Sequence, residues 1–166
     1  MIKDNVENVR NRIRAAQEAS PYGEEVRLVG VSKFREIREL EELVACGLTV
    51  LGENRVQELM DKYPHFEGRV DWHLIGTLQK NKVKYVVGKV SLIHSVDSLS
   101  LLKEIEKQAG KQGVTVSVLL QVNPAGEQSK HGFSPDEVDG ALLAASEMPH
   151  VQVDGLMMIA PDTQDR

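Results

Sequence analysis

The sequence has almost no cysteine and few aromatics. Cys46 stands alone, beside three tyrosines, three phenylalanines and one tryptophan. One cysteine excludes an internal disulfide framework and suits a reducing compartment, so the expected location is the cytoplasm. No apolar run approaches the roughly 18 residues of a membrane span. The first twenty residues, MIKDNVENVRNRIRAAQEAS, are charged throughout, unlike a secretory signal. There is no long block of one charge sign, and the net charge is −5, which argues against a general nucleic-acid binder. The five histidines and Cys46 show no metal-ligand spacing, so no metal is expected. There is no G-x-S-x-G elbow, no Walker loop and no Gly-rich dinucleotide turn after the first strand.

What is present is a repeating alternation. Of the 166 residues, 41% are apolar and 27% charged, enough for one domain with a real core. Val6, Val9, Ile13 and Ala16 have helical spacing over residues 3–19, and SPYGEE breaks that helix. Strands are expected at 26–31, 49–51, 72–75, 92–96, within 113–123, and at 151–159. Helices are expected between them at about 35–46, 55–62, 78–87, 98–109 and 133–148. Gly47 suits the stop of the first of these. Asp97 or Ser98 suits the start of the fourth, and Ser134 with Pro135 the start of the fifth. The order is α, then βα five times, then β, which means a parallel sheet with right-handed crossovers. A doubly wound open sheet and a (β/α)8 barrel both fit this order. The missing dinucleotide loop weakens the first, and a count of six strands falls short of the second.

In parallel α/β proteins the chemistry gathers at the C-terminal ends of the strands. Those ends read SK, GEN, WHLIG, HSVD, QVN and GLMMI. Lys33, Glu53, Asn54, His73, Asp97, Asn123 and Met157 are therefore expected to point toward one face. Each has an ordinary alternative: Asp97 as a helix cap, His73 as a satisfied core histidine, Asn54 as a turn residue. Lys33 is the pointed case. A lysine among apolar walls loses its charge more readily, and the neutral amine can attack an aldehyde to form a Schiff base. A lysine there can equally snorkel to solvent and do nothing. QKNKVKY gathers Lys80, Lys82 and Lys84, which reads as a solvated basic face or a contact for an anion. NPAGEQSKHGFS is a long polar loop after the fifth strand, a kind of loop that often carries function.

Taken together and in order, GVSK, GENRVQEL, WHLIGTLQKNKVKY, IHSVDS, LLQVNPAGEQSKHGF and GLMMI resemble the pyridoxal phosphate homeostasis protein family, from about residue 5 onward. The resemblance implies the (β/α)8 barrel of the alanine racemase N-terminal domain, of PLP fold type III, as a single domain. It implies pyridoxal 5'-phosphate (PLP) as cofactor, carried on Lys33. Asn54 and His73 match family positions that line the pocket, Lys130 in SKHG would be a second lysine handling PLP, and Asn123 and Met157 join the expected cofactor-binding set by their strand-end positions. The implied role is a non-catalytic carrier and regulator of vitamin B6 and amino-acid metabolism. PLP-dependent apo-enzymes are its possible recipients, and the full-length protein would be a monomer. The alternative is a PLP-dependent amino-acid racemase of the same fold. Racemisation needs acid/base groups on both faces of the substrate carbon, and the racemases take one from a tyrosine on an extra domain. The family usually reads SKTKP where this chain reads SKFRE, so Phe34 and Arg35 are departures. Thr77 stands where a histidine is common. The family's Ser/Gly-rich phosphate turn and arginine-containing last strand have no counterpart, so strands seven and eight are expected to be missing and the barrel not to close.

Overall fold

The structure is a computed structural model, and it describes residues 1–124, 126 and 131–160. Helix α1 spans Ile2–Ala19. Then come β1 (Gly30–Val31), α2 (Ile37–Ala45), β2 (Val50–Glu53), α3 (Val56–Lys62), β3 (Asp71–Leu74), α4 (Val83–Val86), β4 (Leu92–Val96), α5 (Leu99–Gln112), β5 (Val116–Gln121), α6 (Val138–Ser146) and β6 (Val151–Met157). Short 3₁₀ turns at Tyr63–His65, Lys80–Lys82 and Pro135–Glu137 complete the set.

All six strands form one parallel sheet in the order β1-β2-β3-β4-β5-β6. That order decides between the two architectures. A doubly wound sheet reverses its strand order at a switch point, with helices on both faces. A sheet wound in sequence order with right-handed crossovers sends every crossover helix to the same face. The structure is the barrel type of winding, with β1 and β6 as its edges.

The core lies between the sheet and its helices. Leu40, Leu51, Leu59, Phe66, Trp72, Leu74, Ile93, Leu102, Ile105, Val118 and Leu120 are buried to 1% exposure or less. Fully burying one such aliphatic or aromatic side chain contributes roughly 1.5–3 kcal/mol. The helix ends are those the sequence indicates. Gly47, at φ +73°, closes α2 in the left-handed conformation that glycine adopts without strain. Ser98 caps α5, its hydroxyl accepting the Leu101 N–H at 3.2 Å, so the cap is Ser98 and not Asp97. Ser134 and Glu137 make a reciprocal capping box ahead of α6.

Two expectations are corrected. The first strand, expected over 26–31, is paired only at Gly30 and Val31. It is an edge with β2 as its one neighbour, and Val26 and Val31 stay half exposed. The expected helix at 78–87 is a 3₁₀ turn followed by the four residues of α4. Three of its apolar positions, Val83, Val86 and Val87, are β-branched, which lowers helix propensity.

Candidate functional site

Lys33 leaves β1 in a tight turn. The Arg35 N–H donates to Ser32 O at 3.1 Å, so Ser32–Arg35 is a β-turn with Lys33 and Phe34 at its two central positions. Phe34 has φ +60°, the one left-handed conformation among the described non-glycine residues. For an L-residue this costs on the order of 1–2 kcal/mol. Something must offset it, and the neighbour in place is a carboxylate: the Phe34 N–H donates to Glu58 Oε2 at 3.1 Å. A hydrogen bond to a charged group is worth about 1.5–3 kcal/mol, the same scale as the strain. The Phe34 N–H in turn holds the Glu58 carboxyl below the ordinary carboxylate value, against a smaller opposing effect of burial. The Arg55 guanidinium lies 5.7 Å from the centre of the exposed Phe34 ring.

Behind the turn, on the helix side of the sheet, is a buried ionic network. Lys62 Nζ, at the end of α3, donates to Glu53 Oε1 at 2.5 Å, Ser32 O at 2.8 Å and Glu58 Oε2 at 3.3 Å. The Ser32 hydroxyl donates to the same Glu53 oxygen at 2.7 Å. Glu53 is fully buried and Lys62 is 7% exposed. Each end of the Lys33 turn is thus held from below: Ser32 O by Lys62, Phe34 N–H by Glu58. Glu53 itself corrects an expectation. It does not point to the inner face, because alternation along β2 turns it toward α3, where it pairs with Lys62. Its Oε2 has no partner among the described residues.

On the other face of the sheet are two histidines. Gly52, the residue before Glu53, is in register with His73. A Cβ on Gly52 would sit 3.0–3.2 Å from Ile75 and Val29, so the inner face is close-packed at this level. His73 is 2% exposed, and its Nδ1 lies 2.9 Å from His94 Nε2, one ring donating and the other accepting. Burial pushes His94 down to about 4, with repulsion from His73 adding to the shift. Burial also lowers His73, partly offset by Asp71, whose Oδ2 is 3.9 Å from His73 Nε2. Both rings are therefore neutral near pH 7. His73 is a satisfied interior histidine facing the inside of the sheet.

The remaining candidates fall as follows. Lys33 is exposed, so the apolar walls expected around it are not formed by the described residues; it stands on an edge strand with one neighbour. Asn54 is half-buried just past β2, and its backbone touches Gly76 past β3. A Cβ on Gly76 would collide with the Asn54 carbonyl, so only glycine lets these two strand ends meet. Asn123 follows β5, and its N–H donates to Phe133 O at 2.8 Å, folding the chain after the polar loop back onto the strand end. Met157 ends β6, in register with Gln121. Asp97 Oδ2 lies 3.5 Å from His131 Nδ1. Lys130 lies outside the described residues. Lys80 donates to the Ser100 hydroxyl, while Lys82 and Lys84 flank the ring of Tyr85, a solvated basic face. Sequence reasoning missed Ser32, Glu58, Lys62 and His94. The Glu58–Lys62 spacing of four on one helix was a visible signal, but which strand residue it would meet was not.

The strand order defines a class: a parallel α/β sheet with the barrel type of winding, and comparison with known proteins narrows it. The family model for the alanine racemase N-terminal domain matches residues 5–166. The pyridoxal phosphate homeostasis protein of Aquifex aeolicus is 42% identical over 160 residues, covering 95% of this chain and 70% of the relative. That of Escherichia coli K12 is 34% identical, covering 98% and 72%. Among solved structures, a Bifidobacterium adolescentis protein described only as unknown superposes with TM-score 0.88 at 35% identity, covering 99% of this chain and 71% of its own. PipY of Synechococcus elongatus, solved with PLP bound, superposes with TM-score 0.79 at 31% identity, covering 99% and 73%. A Clostridium difficile alanine racemase shares the fold at TM-score 0.70 and 15% identity, over 93% of this chain and 41% of the racemase. The chain belongs to the alanine racemase N-terminal domain family and, within it, to the pyridoxal phosphate homeostasis proteins.

Proposed function

We propose that this protein binds PLP at the C-terminal end of its sheet, holds it on Lys33, and serves in the cell as a carrier that limits the free aldehyde. The carrying observation is the Lys33 turn. Its amine is exposed while the backbone on both sides is pinned by a buried network. The residues present fit the aldehyde end of PLP: an accessible amine, with the half-buried amide of Asn54 past the neighbouring strand. PLP, when bound, supplies the electrophilic carbonyl carbon, and Lys33 supplies the nucleophilic amine. The His73–His94 pair itself is neutral near pH 7, so neither ring brings a positive charge to the inner face. Asn123 and Met157 extend the lining toward β5 and β6, and Lys130 is a second lysine that handles PLP.

No catalytic turnover is proposed. Racemisation needs a second acid/base group opposite the lysine. Tyr22 is in a loop after α1, Tyr63 in the 3₁₀ turn after α3 and Tyr85 in α4, so none is at a strand C-terminal end. The cytoplasm is the proposed location, and PLP-dependent apo-enzymes are the proposed recipients. No described helix is long and apolar enough to cross a membrane.

The test is borohydride reduction of the PLP-loaded protein followed by peptide mapping. The expected result is a pyridoxyl group on Lys33 that is lost in Lys33→Ala, with no interconversion of amino-acid enantiomers. A modification confined to another lysine, or robust turnover that Lys33→Ala abolishes, would overturn the reading.

A further inference from the structure

We propose that Glu58 is a positioning residue for Lys33, setting the direction in which the lysine leaves β1 by holding Phe34 in its left-handed conformation; this rests on the reading of Lys33 as the PLP anchor.

Four observations converge. Phe34 follows Lys33 directly and carries the one positive φ among the described non-glycine residues. Its N–H points at Glu58 Oε2 and not at a strand neighbour. Glu58 is fixed by Lys62, and Lys62 by Glu53, which is buried without solvent to compete for it. Lys62 also grips Ser32 O, the residue just before Lys33. The anchor thus sits between two gripped peptide groups, and one α3 face supplies both grips. In a type II-like turn the second central residue decides how the first presents its side chain, because the peptide between them has only two orientations compatible with the closing hydrogen bond. In a type I turn, with Phe34 at negative φ, that peptide flips, and the Phe34 N–H no longer meets the carboxylate. Glycine usually fills this position in such turns. Here a carboxylate does by hydrogen bonding what glycine does by its own preference.

That equivalence supplies the test. Glu58 is partly exposed, with 24% of its side chain accessible, so Glu58→Ala removes the acceptor without emptying the core. The measurement is the rate at which borohydride traps PLP on the Lys33 peptide, after a thermal melt shows each variant folded. Glu58→Ala is expected to slow loading about tenfold. Phe34→Gly added to it is expected to bring loading back to within about threefold of the parent, because glycine holds the turn unaided. Loading by Glu58→Ala at the parent rate would overturn the proposal. So would a double variant as slow as Glu58→Ala, which would mean the carboxylate does not act through the turn. Lys33→Ala is run beside them. If it still loads PLP, the anchor reading fails and the positioning role falls with it. If it does not, the Glu58 result judges the positioning role alone.

Discussion

Two polar clusters sit back to back across β2 and β3 and solve the same problem in opposite ways. On the helix side, Glu53, Lys62 and Glu58 are held as charges and neutralise one another. On the inner side, His73 and His94 are held without charge and share a hydrogen bond. Burying a charge is costly unless an opposite charge and hydrogen bonds meet it. The helix side has room for such a partner because α3 lays a lysine over the strand end. On the inner face Asp71 and Arg27 act on His73 in opposite directions and burial prevails, so the ring nitrogens pair as neutral groups. The charged cluster is thus built for fixed direction. The neutral one fills the interior, where burial keeps both rings unprotonated near pH 7.

The largest expected effect breaks the charged side. Lys62→Met strands the Glu53 carboxylate in the core and should destabilise by about 3–5 kcal/mol, measured by denaturant unfolding. Replacing both as Glu53→Leu/Lys62→Met should cost less than the single change, since no buried charge is left alone. A double variant as unstable as the sum of its parts would mean the two residues act independently.

A smaller effect tests the neutral side. The His94 value is lowered to about 4 from an ordinary 6.5. The unfolded chain therefore binds a proton that the folded one refuses, and stability falls as pH drops from 6.5 toward 4. Because His94 is only partly buried, the loss should be on the order of 1–2 kcal/mol. Denaturation midpoints across that range should show it, and His94→Gln should flatten the slope. A slope unchanged in His94→Gln would assign the acid sensitivity elsewhere. Glu58 makes the opposite cluster acid-sensitive too, but lower. Its value is depressed below 4.5, so its contribution is full above 4.5 and is lost only as pH falls through its folded value. The two sides should therefore separate along the pH axis.

The smallest effect calibrates both. Ser98→Ala removes the α5 cap, which belongs to neither cluster, and should cost about 1 kcal/mol with no pH dependence above 4.

The sequence carried the alternation of elements and the strand ends, because strand runs and helix stops are local properties. Ser134, Gly47 and the Leu92–Val96 strand fell where expected. What it could not carry was which side of the sheet a strand-end residue faces when neighbours alternate. Glu53 and Asn54 read alike in GEN, yet Glu53 turns to α3. The pairing of His73 with His94 also depends on register between β3 and β4, which no local pattern states. Lys33 was legible as a strand-end lysine. Its exposure was not, since that depends on how many strands stand beside β1.

The strand order has a consequence for how the chain is made. Every strand from β2 to β6 pairs with the one immediately before it in sequence. During synthesis, each strand that leaves the ribosome finds its earlier partner already released, with one helix between them. No strand need wait for a later one to complete its earlier side. A chain that emerges from its N-terminus can fold in that order. The turn bearing Lys33 is the exception. It is gripped by α3, so Lys33 is made early and its turn is fixed only after the next unit has arrived.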